Sequence, residues 1–288
     1  MIPAKFDYVR ASSVDEALNL LREFGDDAKV LAGGHSLLPS MKLRLSTPAK
    51  VIDIGKLDEL KYIKDEGDVI AIGAGSTHRD IATSSELSSK APLLQEAAAA
   101  IGDVQVRNMG TIGGSLAHAD PAADYPAALL AAEAEIVVKG SGGQRTISAL
   151  DFFLGLYLTA LQPDELILEV RVPVQPDGAG SAYLKFPHPA SRFAVVGCAA
   201  MVHKSGGVCD LVRVAFTGVA DHAFRDSNVE SALNGKALDE STVSAAADLA
   251  AQGVDLMGDA FASEDYRQHL AKVYAKRAIL EAAERASG

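Results

Sequence analysis

The chain has 288 residues, 48% of them hydrophobic and 23% charged, which suits a globular protein with a large core and room for two or three domains. A net charge of -11 excludes a nucleic-acid surface, and 6% aromatic residues with no Trp exclude base-stacking platforms. The N-terminus has no apolar core of signal-peptide length and no stretch spans a membrane without a polar break, so a cytoplasmic protein is expected, free or against the inner face of the membrane.

In chain order, Ser13-Val-Asp-Glu16 has the spacing of a capping box. Ala17, Leu18, Leu21 and Phe24 follow at helical spacing, and Gly25 marks the stop. Val30 to Ala32 reads as a strand that breaks into Gly33-Gly34-His35-Ser36. Pro39 fits a first helical turn, Met41 to Leu45 is a short helix or a strand, and Val51 to Ile54 is a buried strand, completing a βαβ-like block. Lys61 to Lys64 and Val69 to Ala74 form a hairpin around Glu66-Gly67. Thr77 to Asp80 is a helix cap, and Leu93 to Ile101 is an alanine-rich helix ending at Gly102. Val104 to Met109 leads into Gly110-Thr-Ile-Gly-Gly-Ser115. Asp120-Pro-Ala-Ala-Asp124 opens a helix through Leu130. Ile136 to Val138 and Thr146-Ile147 pair across Ser141-Gly-Gly143, Asp151-Phe-Phe153 starts a helix, and Glu165 to Val172 is a strand. Turn formers cluster from Gln175 to Ser181. Beyond them, Ala194 to Val202 and Leu211 to Gly218 are strands of an antiparallel sheet, and Val229 to Leu233, Ser241 to Gln252 and Glu264 to Ala283 are helices.

Several chemistries fail on single residues. A nucleophile elbow needs glycine where Leu38 and Ala117 stand. Gly73-Ala-Gly75 lacks the third glycine of a dinucleotide fingerprint, because position 78 is His. Gly235-Lys236 lacks the rest of a P-loop, and the seven histidines show no i, i+4 pair. Cys198 and Cys209 are the only cysteines, too few for an iron–sulfur cluster, and read as small buried thiols. What remains is the pair of double glycines. Each suits a tight turn, and each carries small hydroxyls (Ser36; Thr111 and Ser115) that can donate to phosphate. Both follow apolar segments, so both are expected at strand ends, holding one dinucleotide between them.

Ala32-Gly-Gly-His-Ser36 and Thr111-Ile-Gly-Gly-Ser115 resemble the FAD-binding loops of the molybdenum hydroxylase flavoprotein subunits, within the xanthine dehydrogenase family. Arg107 to Gly114 with Asp120 to Asp124, and Lys185-Phe-Pro-His-Pro-Ala-Ser-Arg-Phe-Ala-Val-Val196, extend the likeness along the chain, nearest to the carbon monoxide dehydrogenase branch. The resemblance implies an α+β protein. Its fold would be the vanillyl-alcohol-oxidase (PCMH) type in two FAD-binding subdomains, residues 1–55 and 56–176. A C-terminal α+β domain with an antiparallel sheet and helices would follow over 177–288.

It further implies that Ala32, Gly33, Gly34, His35, Ser36 and Leu37 face Thr111, Ile112, Gly113, Gly114 and Ser115 across the pyrophosphate. Asp124, Leu161, Lys185 and Phe193 would lie near the cofactor, and a cation at Lys185 would favour reduced, anionic flavin. Relatives near the carbon monoxide enzyme often carry Tyr close to Phe193, which keeps the stacking surface and lacks the hydroxyl. His35 can act through its ring or through its backbone alone, and Asp120 can cap a helix or touch the cofactor. The implied assembly is a dimer of heterotrimers: a large chain with molybdopterin, a small chain with two [2Fe–2S] clusters, and this chain passing electrons from FAD to a quinone or another acceptor. The implied substrate is carbon monoxide, or an aldehyde, nicotine-like heterocycle or purine. A stand-alone flavoenzyme is the alternative, although the signature segments offer no general base.

Overall fold

A computed structural model describes residues 1–287. The first sheet is parallel, in the order β1-β3-β2, from β1 (Asp7–Arg10), β2 (Ala28–Leu31) and β3 (Lys50–Asp53). Parallel pairing needs crossovers, and α1 (Val14–Phe24) and α2 (Leu37–Lys42) supply helical turns within them. Ser13 caps α1 by accepting from the Glu16 N–H at 3.1 Å. The box is not reciprocal, because the Glu16 carboxylate turns to the Ser12 backbone N–H, one residue further out. The Met41 to Leu45 ambiguity resolves as the end of α2.

The second sheet is antiparallel throughout, in the order β4-β5-β10-β6-β7. Its hairpin of β4 (Ile63–Asp65) and β5 (Val69–Gly73) precedes a run of helices: α3 (His78–Ala82), α4 (Ser85–Lys90), α5 (Pro92–Ala100), α6 (Val104–Met109), α7 (Ile112–His118) and α8 (Asp124–Ala132). The sheet resumes with β6 (Glu135–Gly140) and β7 (Gly143–Ser148), and after a small hairpin of β8 (Phe153–Gly155) and β9 (Leu158–Thr159) it closes with β10 (Leu166–Pro173).

Two expected helix starts move. Asp151 ends a 3-10 turn rather than starting a helix, and β8 follows, with Phe152 and Phe153 packed edge-on in the core at 5.1 Å between centroids. The helix expected from Asp120 begins at Asp124, because the Asp120 carboxylate accepts from the Ala122 N–H at 2.9 Å and holds the chain in a turn.

The third sheet is antiparallel: β11 (Gly180–Pro187), β12 (Ala194–Ser205), β13 (Val208–Thr217) and β14 (Phe224–Arg225). It is followed by α9 (Ser227–Leu233), α10 (Glu240–Ala247) and α11 (Glu264–Arg285). β12 is covered on both faces. Ala199 and Met201 join the core under α8, whereas Cys198, Ala200 and Val202 join the core under α11. That double burial explains its continuous apolar run where a half-exposed strand would alternate. α8 lies between the second and third sheets, and every residue from Asp124 to Ala132 is buried. Its sequence, Asp-Tyr-Pro-Ala-Ala-Leu-Leu-Ala-Ala, has no polar face because it meets protein all round.

The turn before α8 is fastened to the third sheet. The Thr217 hydroxyl, fully buried, lies 2.8 Å from the Pro121 carbonyl and 2.7 Å from that of Ala123, and the Gly218 N–H donates to Pro121 at 2.8 Å. Thr217→Val keeps the shape and removes the donor. Chemical denaturation should show a loss of about 1–2 kcal/mol, and Thr217→Ser should restore most of it.

Candidate functional site

The first glycine run leaves β2 and enters α2. Gly34 sits at φ +75°, which favours glycine, and a Cβ on Gly33 would lie 2.1 Å from the Met109 carbonyl oxygen and 2.8 Å from the Gly110 Cα. The backbone of this loop therefore rests directly on the end of α6. The N–H groups of Gly33, Gly34, His35 and Ser36 have no protein acceptor among the described residues. Four successive free donors on a concave turn form an anion-binding nest. The His35 ring folds back on its own loop, Nδ1 3.1 Å from the Gly33 carbonyl, so here the backbone is the donor surface.

The second run is built differently. It follows a helix, α6, and forms the first turns of another, α7, so the expected strand-end loop is a helix start. Asp103 caps α6, accepting from the Val106 N–H at 2.9 Å, and Thr111 caps α7, accepting from the Gly114 N–H at 3.2 Å. The Ile112 N–H donates to Ser76, that of Gly113 to Ala74 at 2.9 Å, and that of Ser115 to Thr111. These donors are all engaged inside the protein. The run offers instead the exposed Gly114 surface, where a Cβ would meet only the Thr111 hydroxyl, and the half-buried Ser115.

Between the two runs lies a cleft of about 550 Å³, within the usual range for small-molecule sites. It gathers Ala32, Gly33, Gly34, His35, Ser36 and Leu37 on one side and Thr111, Gly113, Gly114 and Ser115 on the other, with Asp124, Leu161 and Phe193 on the far wall. Two expected members stand outside it. Ile112 is fully buried in the core beneath α7. Lys185 sits behind the wall, its ammonium 2.9 Å from Asp124 and 2.8 Å from the Arg192 carbonyl. Asp120 lies on the cleft in its turn before α8, with the Tyr157 hydroxyl 3.5 Å away.

His78, Ile101, Val106, Tyr157 and Arg192 also line the cleft, and no sequence motif marks any of them as site residues. Tyr157 and Arg192 adopt φ of +53° and +61°, turns that nothing local signals. His78 lies beside the Thr77 helix cap in sequence, and only tertiary packing buries its ring on the cleft.

Asp124 is buried, accepting from the Tyr183 hydroxyl at 2.6 Å beside the Lys185 ammonium. Burial pushes its carboxyl above the usual range, and Lys185 and Tyr183 pull it back only in part. No group of three or more metal-ligating side chains occurs among the described residues.

A nest of four free N–H groups, with no Cβ over Gly33 or Gly34, fits the pyrophosphate of a dinucleotide such as FAD. A family model for the FAD binding domain in molybdopterin dehydrogenase matches residues 4–175, and one for the CO dehydrogenase flavoprotein C-terminal domain matches residues 181–282. The chain belongs to the flavoprotein subunits of the molybdenum hydroxylases. It is 45% identical over 283 residues to the carbon monoxide dehydrogenase medium chain of Hydrogenophaga pseudoflava, covering 97% of each chain. It is 38% identical over 283 residues to the glyceraldehyde dehydrogenase medium chain of Sulfolobus acidocaldarius, covering 98% of this chain and 100% of that one. A solved carbon monoxide dehydrogenase from H. pseudoflava, lacking the Mo-pyranopterin moiety of its cofactor, matches with a TM-score of 0.97, 44% identity and full coverage of both chains. The PCMH-type FAD-binding fold with its C-terminal α+β domain is thus this flavoprotein's fold, and FAD is its cofactor.

The Asp124–Lys185 pair can be tested in this flavoprotein. Lys185→Met leaves a buried carboxylate without its cation and should cost about 3 kcal/mol near neutral pH. The Asp124 pKa then rises further, so the variant takes up a proton on folding. Its deficit should shrink as pH falls and grow as pH rises, measured by urea denaturation of both proteins across pH.

Proposed function

We propose that this chain is the electron-transfer subunit of a heterotrimeric molybdenum hydroxylase. It would receive electrons from [2Fe–2S] clusters on a small partner and pass them to an external acceptor such as a quinone. A molybdopterin-bearing large partner would oxidise the substrate, carbon monoxide being the first to test. The heterotrimer would pair into a dimer of heterotrimers in the cytoplasm or at the inner face of the membrane. Residues 1–55 and 56–176 would serve as the two FAD-binding subdomains and 177–288 as the C-terminal domain.

The nest of free N–H groups from Gly33 to Ser36 carries this reading, since it supplies four directed donors where two phosphates need them. Gly114 leaves the opposite face clear, and the Ser36 and Ser115 hydroxyls add donors that do not fill the space. Phe193, 41% exposed on the far wall, offers an apolar face for a flat ring. Bound FAD would exchange electrons singly with clusters and in pairs with an acceptor. The chain's own task is to bind it, shield one face and leave an edge open. Two cysteines, both buried, supply no cluster ligands, which supports placing the clusters on another chain. Relatives named for carbon monoxide and for glyceraldehyde both match this chain over nearly its whole length, which supports assigning substrate choice to the large partner.

The purified chain, alone or with its partners, should take up FAD stoichiometrically and show a flavin spectrum. Gly114→Val should weaken FAD binding by at least about tenfold, the equivalent of 1.4 kcal/mol, with the apo-protein remaining folded. Retention of flavin by that variant would remove the second run from the site. In the purified complex, carbon monoxide should bleach the flavin absorbance. Bleaching by an aldehyde or N-heterocycle, and not by carbon monoxide, would reassign the substrate.

A further inference from the structure

His78 begins α3, capped by Thr77, and its backbone N–H donates to the Gly110 carbonyl at 2.9 Å. Its side chain is only 5% exposed, and its Nδ1 lies 3.1 Å from the Tyr125 hydroxyl. Tyr125 is completely buried in α8, and its hydroxyl has no other partner among the described residues. Burial pushes the Tyr125 phenol well above its ordinary range, so it keeps its proton.

The direction of this hydrogen bond follows from the energetics. A buried hydroxyl that fails to donate costs about 1–3 kcal/mol, and Nδ1 is the single acceptor within reach. Tyr125 therefore donates to Nδ1, which requires a neutral ring with its one proton on Nε2. The ring does stay neutral: burial first, then His35 and Arg107, depress its pKa to about 4. Nε2 is thus a fixed N–H donor, and it has no acceptor among the described residues.

The side chain lines the cleft beside Gly110. A Cβ on Gly110 would lie 2.5 Å from Nε2, so glycine there keeps the approach to the ring edge clear. Ile101 and Val106 line the cleft as well, Val106 through its carbonyl beside Gly110, on which the Gly33 loop also rests. Apolar walls with one neutral donor suit a nucleoside.

Resting on the FAD reading above, we infer that His78 is a cofactor-binding residue whose Nε2–H donates to an acceptor atom in the adenosine half of FAD, with Tyr125 fixing its tautomer from behind. A neutral imidazole gives direction there without a charge, and no sequence motif marks it.

The test uses the full chain, free of flavin, titrated with FAD, ADP and FMN. His78→Phe combined with Tyr125→Phe removes donor and partner together and leaves no orphaned hydroxyl. The Kd for FAD and for ADP should each rise about tenfold, the loss of one directed hydrogen bond, while FMN, which lacks adenosine, should bind as in wild type. His78→Gln, which restores an N–H near Nε2, should recover part of the affinity. Nitrogen-15 NMR of the unmodified chain should show His78 protonated at Nε2 and not Nδ1, with the Nε2–H resonance shifting on ADP addition. Unchanged FAD and ADP affinity in a folded double variant would overturn the inference, as would an Nδ1–H tautomer or an Nε2–H resonance indifferent to ADP. The NMR arms decide it even if the double variant fails to fold. A wild-type chain that binds no FAD defeats the flavin reading itself, whereas normal FAD binding that ignores His78 defeats this inference alone.

Discussion

The site depends on a contact between two stretches of main chain. The Gly33 backbone lies so close to the Met109 carbonyl that no side-chain carbon fits between them. This approach joins the parallel first sheet to the helical run of the second, at a loop that lines the cleft and whose four N–H groups from Gly33 to Ser36 have no protein acceptor among the described residues. A loop free to relax would turn those donors to water or to its own carbonyls. Pressed against α6, it keeps them aimed in advance, and preorganised donors bind anions without a further ordering cost.

The two glycine runs look alike on paper and divide the work. One offers free donors; the other has used its own to dock on Ala74, Ser76 and Thr111, and contributes a bare surface. Glycine serves backbone conformation at Gly34, where φ is positive, close approach at Gly33, and at Gly114 an exposed surface where a Cβ would crowd only the Thr111 hydroxyl. Behind the cleft, Asp124, Tyr183, Lys185 and Thr217 tie α8 and the turn before it to the third sheet. The far wall is therefore anchored to a layer that also carries α11.

Much of this was legible in the residues. Double glycines beside small hydroxyls point to a dinucleotide cradle, and caps such as Ser13 and Thr77 mark helix starts through local chemistry alone. The helical character of the second run was less visible, because its signals, Asp103 and Thr111 as caps, sit among valines and glycines that argue for strand and turn. The charge at Lys185 looked available to a flavin. Its partner Asp124 is distant in sequence, and nothing local shows that a buried carboxylate claims the ammonium first. His78 escaped for the same reason, since the pairing with Tyr125 belongs to the packing of α3 against α8. Spacing thus picks out two glycine runs that the fold brings to one cleft, and it misses side chains whose surroundings come from partners brought in by the fold.

The double-sided burial of β12 has a further consequence, for chemical durability. Cys198 lies on that strand and Cys209 beneath the edge of the neighbouring one, and both thiols are completely buried. Burial, followed by Asp226, pushes the Cys198 thiol far above its ordinary range; burial and Asp210 push Cys209 up to about 11. The thiolate is the form attacked by peroxides and disulfides. These two sulfurs are held in the form that does not answer such oxidants. The third sheet and the helices packed on it thus keep both thiols protonated and enclosed in one core.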